Sequence, residues 1–340
     1  MSVNFESDLL LITAASGKQS SHLIPQLVKQ WKRIRLQVAS TTSADNLAKQ
    51  YANNAGIEVV QADMSDAQAC TRIMDGVAAC FLVTPGFHPH ETECGYNIID
   101  AALSQPAGQF KHLVHSSVIY PVLRKLLNHD SKRYVEEYLI ESGLPYTIVQ
   151  PTTLMENLPI AKLIQEASPT HACLWNPETE FSFVSCRDVG AACANILAER
   201  EKHYYATYQL VGTPQPLSYN DAVGIVSTAL GKAVKLEQKS IEEGVVMFSN
   251  VFTRGELTVA APFATTQGAA RMFMYYNGKG LLGNPNVLEM VLGRKPLDYR
   301  AWVDINVREC KGGGHGARES GSGSGKADGL IARSTGLGLR

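Results

Sequence analysis

Residues 9–27 read LLLITAASGKQSSHLIPQL: four apolar residues, a run of mostly small ones, then apolar residues at wider spacing. The apolar run predicts a buried strand over 8–13. Leu23, Ile24, Leu27 and Trp31 recur at helical spacing, which predicts a helix over 18–32, with Pro25 past its first turn as a place for a kink. Strand, tight loop and helix in that order open a dinucleotide-binding βαβ unit. The glycine spacing of such a loop, G-x-x-G-x-x-G, falls here on Ala14, Gly17 and Ser20, so one glycine of three remains.

The loop must let backbone approach a pyrophosphate and aim helix N–H groups at it. Ala14 and Ala15 are the smallest side chains after glycine, Gly17 is expected to supply a positive φ, and Ser20 is small enough for helix–strand packing. Lys18 adds a cation where the helix dipole disfavours one, which predicts that it faces an anion or solvent. The second strand end reads Ser40, Thr41, Thr42, Ser43 where an NAD site carries Asp or Glu; hydroxyls suit a 2′-phosphate better.

Outward from this unit the same rhythm repeats. Apolar strands are predicted at 33–40, 57–63, 78–85, 110–117 and 146–151. Helices are predicted at 44–56 with Gly56 as C-cap, 65–76 with Ser65 as N-cap, 90–105, and 131–143 closed by Gly143. Strand–helix alternation with continuous apolar strands means an α/β fold, a doubly wound parallel Rossmann-like sheet. Ligands in such sheets bind beyond the carboxyl ends of the strands, here 14–20, 39–43, Asp63, 84–87 and 116–120.

After Pro151 the pattern mixes helices (155–167, 219–231, 263–293) with strands (204–212, 232–240), as in a smaller α+β substrate lobe built from C-terminal segments. The expected division is 1–153 for the dinucleotide-binding domain, with 181–200 returning to it as a strand and helix, and 154–310 for the lobe. Residues 311–340 hold 10 of the 28 glycines and no apolar periodicity, so a disordered tail is expected there.

A net charge of −1 argues against direct nucleic-acid binding. No window of about 18 apolar residues predicts a membrane span, and no secretory signal is read at the start of the chain. Seven cysteines without a C-x-x-C pair predict reduced thiols and a cytoplasmic protein. The stretch FHPHETE, 87–93, sets His88, His90, Glu91 and Glu93 close together. The two histidines do not share a helical face and no further ligand cluster is evident, so no metal site is expected.

Four stretches together carry a family likeness: TAASGKQSSHLIPQL (13–27), GIEVVQADMSDAQACTRIMDGVAACFLVTP (56–85), NHDSKRYVEEYLIESGLPYTIVQPTTLMEN (128–157) and FSFVSCRDVGAACANIL (181–197). Over roughly residues 8–308 the chain resembles the NmrA-like branch of the atypical short-chain dehydrogenase/reductases, fungal type. The resemblance implies a Rossmann-like fold binding NADP(H). It implies that Ala14, Ala15, Ser16, Gly17, Lys18 and Gln19, after Thr13, cradle the pyrophosphate. Asp63 and Met64 would lie near the adenine, and Val83, Thr84 and Pro85 would flank the nicotinamide ribose. Lys132 matches the active-site lysine, and Pro151 to Met155, Thr153 included, would lie beside the nicotinamide. Ser40 and Thr41 stand at the 2′-phosphate end, but the usual arginine there is matched by Ala39.

Short-chain dehydrogenases place Tyr-x-x-x-Lys on one helix face. Here Asn128 stands at the tyrosine position, and an amide has no proton to give at neutral pH. The candidate acid is His129, three residues before Lys132 on the same helical side; the alternative reading is a solvent-facing histidine at the helix start. Ser117, with Ser116, ends the fifth strand, where a hydroxyl can hold a substrate carbonyl. The resemblance implies three functions: NADP(H)-dependent reduction of a small ketone, enone or imine in secondary metabolism; a cofactor-sensing regulator with a protein partner and no turnover; or a redox-neutral isomerase or cyclase on the same scaffold.

Overall fold

The computed structural model describes residues 2–252 and 263–311. The segment expected to be a disordered tail lies outside the described residues apart from Lys311, which ends the last helix.

The first half alternates as expected: β1 (Leu9–Ile12), α1 (Lys18–Leu27), β2 (Ile34–Val38), α2 (Thr41–Gln50), β3 (Ile57–Gln61), α3 (Ala67–Met74), β4 (Val77–Val83), α4 (Glu91–Leu103), β5 (His112–Ser116), α5 (Leu127–Glu141) and β6 (Tyr146–Pro151). Then follow β7 (Thr153–Leu154), a 3₁₀ turn (Met155–Asn157), α6 (Ile160–Gln165), β8 (Thr170–Cys173), β9 (Phe183–Val184), α7 (Cys186–Ala198), β10 (Ala206–Leu210), α8 (Tyr219–Leu230), β11 (Lys235–Gln238), α9 (Ile241–Phe252), α10 (Phe263–Tyr276), α11 (Asn286–Leu292) and α12 (Tyr299–Lys311).

The main sheet has seven strands in the order β10-β6-β5-β4-β1-β2-β3, every neighbouring pair parallel. Strand order reverses at β1, which pairs with both β2 and β4, so the switch-point crevice opens between the carboxyl ends of β1 and β4. The strands β1, β5 and β6 are buried along their whole length because helices cover both faces. Trp31, Leu23, Ile24 and Leu27 of the opening helix and its exit pack with α7 on one face. The other face carries α3, α4 and α5. A third apolar cluster, rich in aromatics such as Phe181, Phe183, Tyr219, Phe273 and Trp302, forms beyond the sheet from 3₁₀-turn, α6, α8, α10 and α12 residues.

Two glycines set helix spacing. A Cβ on Gly190 of α7 would lie 2.9 Å from the His22 carbonyl oxygen of α1, and a Cβ on Gly95 of α4 would lie 2.6 Å from a Val135 methyl of α5. Both helix pairs approach that closely only because the side chain is absent.

Several boundaries differ from the sequence reading. α2 stops at Gln50, and Gly56 is not its cap; a Cβ there would fall 2.0 Å from the Lys32 carbonyl oxygen, so a close chain crossing requires the glycine. Asp66, not Ser65, caps α3 by accepting from the Gln68 and Ala69 amides. α1 ends at Leu27 and runs through Pro25 as one helix. Pro159 divides 155–167 into the 3₁₀ turn and α6, and 263–293 is two helices with residues 277–285 between them. Gly143, at φ +73°, follows the end of α5 as expected.

The Gly95–Val135 contact is testable. Gly95→Val overpacks the α4–α5 contact and is expected to destabilise the protein by about 1–3 kcal/mol. Urea denaturation measures this; an unchanged midpoint would mean the two helices can separate freely.

Candidate functional site

The site is built from the loops that follow the carboxyl ends of β1, β4, β5 and β6. Thr13 closes the switch point itself. Its hydroxyl donates to the Val83 carbonyl at 3.0 Å and accepts from the Val83 amide at 2.8 Å, which locks the end of β1 to the end of β4. With both capacities engaged and the side chain fully buried, Thr13 is a support of the loop and not a surface of it.

The turn after Thr13 meets the requirement of a phosphate loop by a different residue than expected. Ala14 takes the positive φ, +45°, while Gly17 is at φ −74° in extended backbone. Gly17 is required for another reason: a Cβ there would stand 3.0 Å from the Ala14 carbonyl oxygen. The Ala14 amide is held by the Gln37 side-chain oxygen at 2.9 Å, and the Gln37 amide nitrogen donates to the Ala62 carbonyl at 2.7 Å. Ser20 donates to the Thr13 carbonyl at 3.1 Å and pins α1 to β1. No side-chain hydrogen bond caps α1 and its first turn holds no acid, so the positive end of its dipole faces this loop without a local carboxylate. Lys18 does not project only into solvent: its Nζ donates to Asn157 Oδ1 at 3.0 Å, joining this loop to the 3₁₀ turn. Gln19 accepts from Ser116 Oγ at 2.6 Å, joining it to β5. Ala15 is buried, and Ser16 is exposed at the tip.

At the second and third strand ends the hydroxyls are partly engaged. Ser40 caps α2 by accepting from the Ser43 amide at 3.2 Å, and Thr41 donates to Gln61 at 3.0 Å. Asp63 accepts from the Ser65 amide and hydroxyl, each at 2.8 Å, and these bonds hold its carboxyl below the usual range. Met64 is buried beside it. Pro151 and Met155 are buried and Thr153 is half-buried, pairing in β7 with Phe183 of β9.

Lys132, matched to the active-site lysine, is paired within the protein. Lys132 is only 9% exposed. Its Nζ contacts Glu91 Oε1 at 2.9 Å, donates to Thr84 Oγ1, and lies 3.5 Å from the Thr84 carbonyl oxygen. Glu91, at the start of α4 and 3% exposed, also accepts from Thr84 Oγ1 at 3.2 Å and from the Phe87 amide at 3.0 Å. Val83 and Pro85 flank Thr84, half-buried. Glu91 was weighed from the sequence only as a metal ligand. The structure turns it inward while His88 and His90 stay exposed, and among the described residues no three His, Cys, Asp or Glu side chains gather to hold a metal.

His129 is fully buried, not solvent-facing. Its Nδ1 faces the Tyr120 carbonyl at 3.1 Å, so Nδ1 carries the proton, and burial pushes its pKa down to about 4. At neutral pH His129 therefore presents a bare Nε2 and has no proton to donate. The Tyr120 phenol donates to the Leu282 carbonyl at 2.5 Å. Ser117 Oγ is buried near Glu136 without an ordinary hydrogen bond. Glu136 accepts from Gln150 at 2.9 Å, and burial raises its pKa. Asn128 places its amide nitrogen 3.8 Å from Met272 Sδ, under the lobe. Backbone strain gathers on this rim: Ala14, Phe87 (+61°) and Tyr120 (+56°) are three non-glycine residues at positive φ, following β1, β4 and β5.

Two measurements check this geometry. Lys132→Met strands a buried carboxylate and is expected to cost about 3 kcal/mol of stability, whereas Lys125→Met, at an exposed loop position, leaves the melting temperature nearly unchanged. Equal melting temperatures would contradict the buried pair. His115 and His129 are held neutral by burial, with pKa values of about 3 and about 4. The unfolded chain binds protons at each site first, near pH 6.5, so their stability is complete above that pH and is lost as pH falls. At pH 5 each is expected to cost about 2 kcal/mol; a flat unfolding free energy between pH 7 and pH 5 would overturn this.

Comparison with known proteins agrees with this architecture. The NAD(P)H azoreductase of Xenophilus azovorans is 26% identical over 241 residues, 69% of this chain and 78% of the relative. The NADPH-dependent quinone oxidoreductase of Escherichia coli, solved with NADPH, superposes with a TM-score of 0.67 at 22% identity, covering 87% of this chain and 99% of that one. NmrA, a negative transcriptional regulator solved with NADP, superposes with a TM-score of 0.66 at 16% identity, covering 91% and 98%. The model of the NmrA-like family matches residues 6–294, and with most of its length inside that match the chain belongs to the NmrA-like family.

Proposed function

We propose that this protein binds NADP(H) across the carboxyl ends of β1 and β4 and reduces a small organic molecule, a ketone, enone or imine of secondary metabolism, in the cytoplasm. The observation that carries the reading is the uncapped α1 N-terminus behind the strained Ala14 turn, at the point where strand order reverses. Residues 14–19 would hold the pyrophosphate. Ser40 and Thr41, with no acid beside them, would take the 2′-phosphate end, and Asp63 and Met64 the adenine. Thr84, Lys132 and the segment 151–155 would border the nicotinamide ribose. The lobe of residues 154–310 would cover the substrate and exclude water. The azoreductase and the quinone oxidoreductase, both named for NAD(P)H or NADPH, support this reading.

When bound, the cofactor supplies a hydride. The chain's part is to orient it and to keep the reacting atoms dry. Reduction also consumes a proton, and neither Asn128 nor neutral His129 offers one. It comes from solvent or from the Lys132 ammonium.

A second reading is favoured by the same facts. Asn128 in place of tyrosine, and a lysine whose contacts are already within the protein, suit a chain that senses the cofactor without turning it over, as the likeness to a transcriptional regulator suggests.

Titration of the purified protein by tryptophan fluorescence is expected to show tighter binding of NADPH than of NADH, because the second strand end, residues 39–43, holds no acid. Equal or tighter NADH binding would overturn the preference. Consumption of NADPH matched one-to-one by reduced product supports the reductase; binding without consumption supports the sensor.

A further inference from the structure

The contacts of Glu91 form a closed set. One carboxylate oxygen receives Lys132 Nζ at 2.9 Å and Thr84 Oγ1 at 3.2 Å, and the other receives the Phe87 amide at 3.0 Å. The Thr84 hydroxyl has one proton, which goes to Glu91, so its lone pair is what accepts from Lys132. An ammonium has three N–H donors. Two meet Glu91 and Thr84 Oγ1 at close range, and the third meets the Thr84 carbonyl only at 3.5 Å. That third donor is the one weakly engaged.

We propose that Glu91 is the positioning residue of the cofactor site: it holds Lys132 in place, aims its one weakly engaged N–H, and holds the Phe87 turn in its positive-φ form. The assignment rests on the NADP(H) reading above. The preceding turn, 84–87, and Lys132, 41 residues further along the chain, converge on this carboxylate. An acid in the first turn of a helix is ordinary, but one that is 3% exposed and shared by a strand end, a turn and a second helix is not explained by capping alone. The Phe87 ring in turn meets Phe248 of α9 at 4.6 Å, so the same carboxylate fixes a contact with the lobe.

The groups facing Lys132 are Glu91 from α4, Glu136 one turn further along α5, and His115 from β5. Cys94 lies near Glu91 on its own helix, and burial and nearby acids push its thiol up to about 12. His115 is neutral, and Glu136 is raised by burial and bonded to Gln150. Glu91 is thus the carboxylate in contact with the ammonium. Without it, Lys132 is a buried cation with no carboxylate in contact, and burial disfavours an unpaired charge.

The test measures NADPH affinity by fluorescence from pH 7 to pH 9.5, and melting temperature without cofactor, in wild type, Glu91→Gln, Lys132→Met and the double variant. Wild-type affinity is expected to stay flat with pH. Glu91→Gln is expected to bind about tenfold more weakly at the alkaline end, with a new fall in affinity as Lys132 loses its proton. The double variant should bind weakly at every pH with no such fall, and its melting temperature should recover most of what Lys132→Met alone loses. A Glu91→Gln profile parallel to wild type, or a pH-dependent fall that persists without Lys132, overturns the assignment. Should Glu91→Gln not fold, Glu91→Asp keeps the charge but is one methylene short; it is expected to bind about tenfold more weakly with a flat profile, and wild-type affinity in it overturns the proposal. A folded wild type that binds no NADPH at any pH overturns the NADP(H) reading itself, and the assignment with it.

Discussion

Strand β1 is hydrogen-bonded along both edges, to β2 and to β4, and the rest of the molecule is arranged by that pairing. A strand buried on both faces and paired on both edges has no freedom of position. Its carboxyl end therefore presents the following residues at a fixed point. Because the chain leaves β1 for β2 on one side and returns to β4 on the other, the helices on the two sides diverge there and a crevice opens. Thr13 finishes the seam: a hydroxyl that both donates to and accepts from Val83 aligns two strand ends that would otherwise fray.

The crevice is walled by polar groups that burial makes costly to leave unpaired. Gln37, Ser20, Gln19 and Ser116 each satisfy a backbone or side-chain partner, and together they hold the loop after β1 without the usual glycines. Close approach requires a small side chain and a positive φ, and Ala14 supplies both because neighbouring hydrogen bonds hold it there. Gly17 is then released from the conformational task and serves a steric one.

The charged pair below the crevice has a different origin. Lys132 and Glu91 meet because α4 and α5 lie close, and they lie close because Gly95 has no side chain against Val135. A packing choice one turn along α4 from the site thus sets an electrostatic one inside it. Removing either charge leaves the other buried, which is the larger penalty in such pairs, so the two residues are coupled whatever each does for a ligand.

Much was determined by the sequence alone. Apolar runs separated by helical periodicity, from Leu9 to Pro151, are enough for a parallel doubly wound sheet, because only strands covered on both faces tolerate such runs. The strand ends that frame the site followed from the same pattern, since the chain must turn where the apolar run stops. The tertiary structure alone decided which side chains face one another. Hydropathy patterning identifies an inward face but carries no information on pairing across it. Hence Glu91 was weighed only as a metal ligand, His129 read as a solvent-facing histidine and Lys132 was matched to an active-site lysine with no partner named, although all three are buried. Gln37 left a faint signal, a polar residue at an inward position of an apolar strand, but its partners, Ala14 and Ala62, are 23 and 25 residues away. Local sequence fixes backbone tendencies over a few residues; the protonation state of a buried group depends on neighbours that only the folded chain brings within reach.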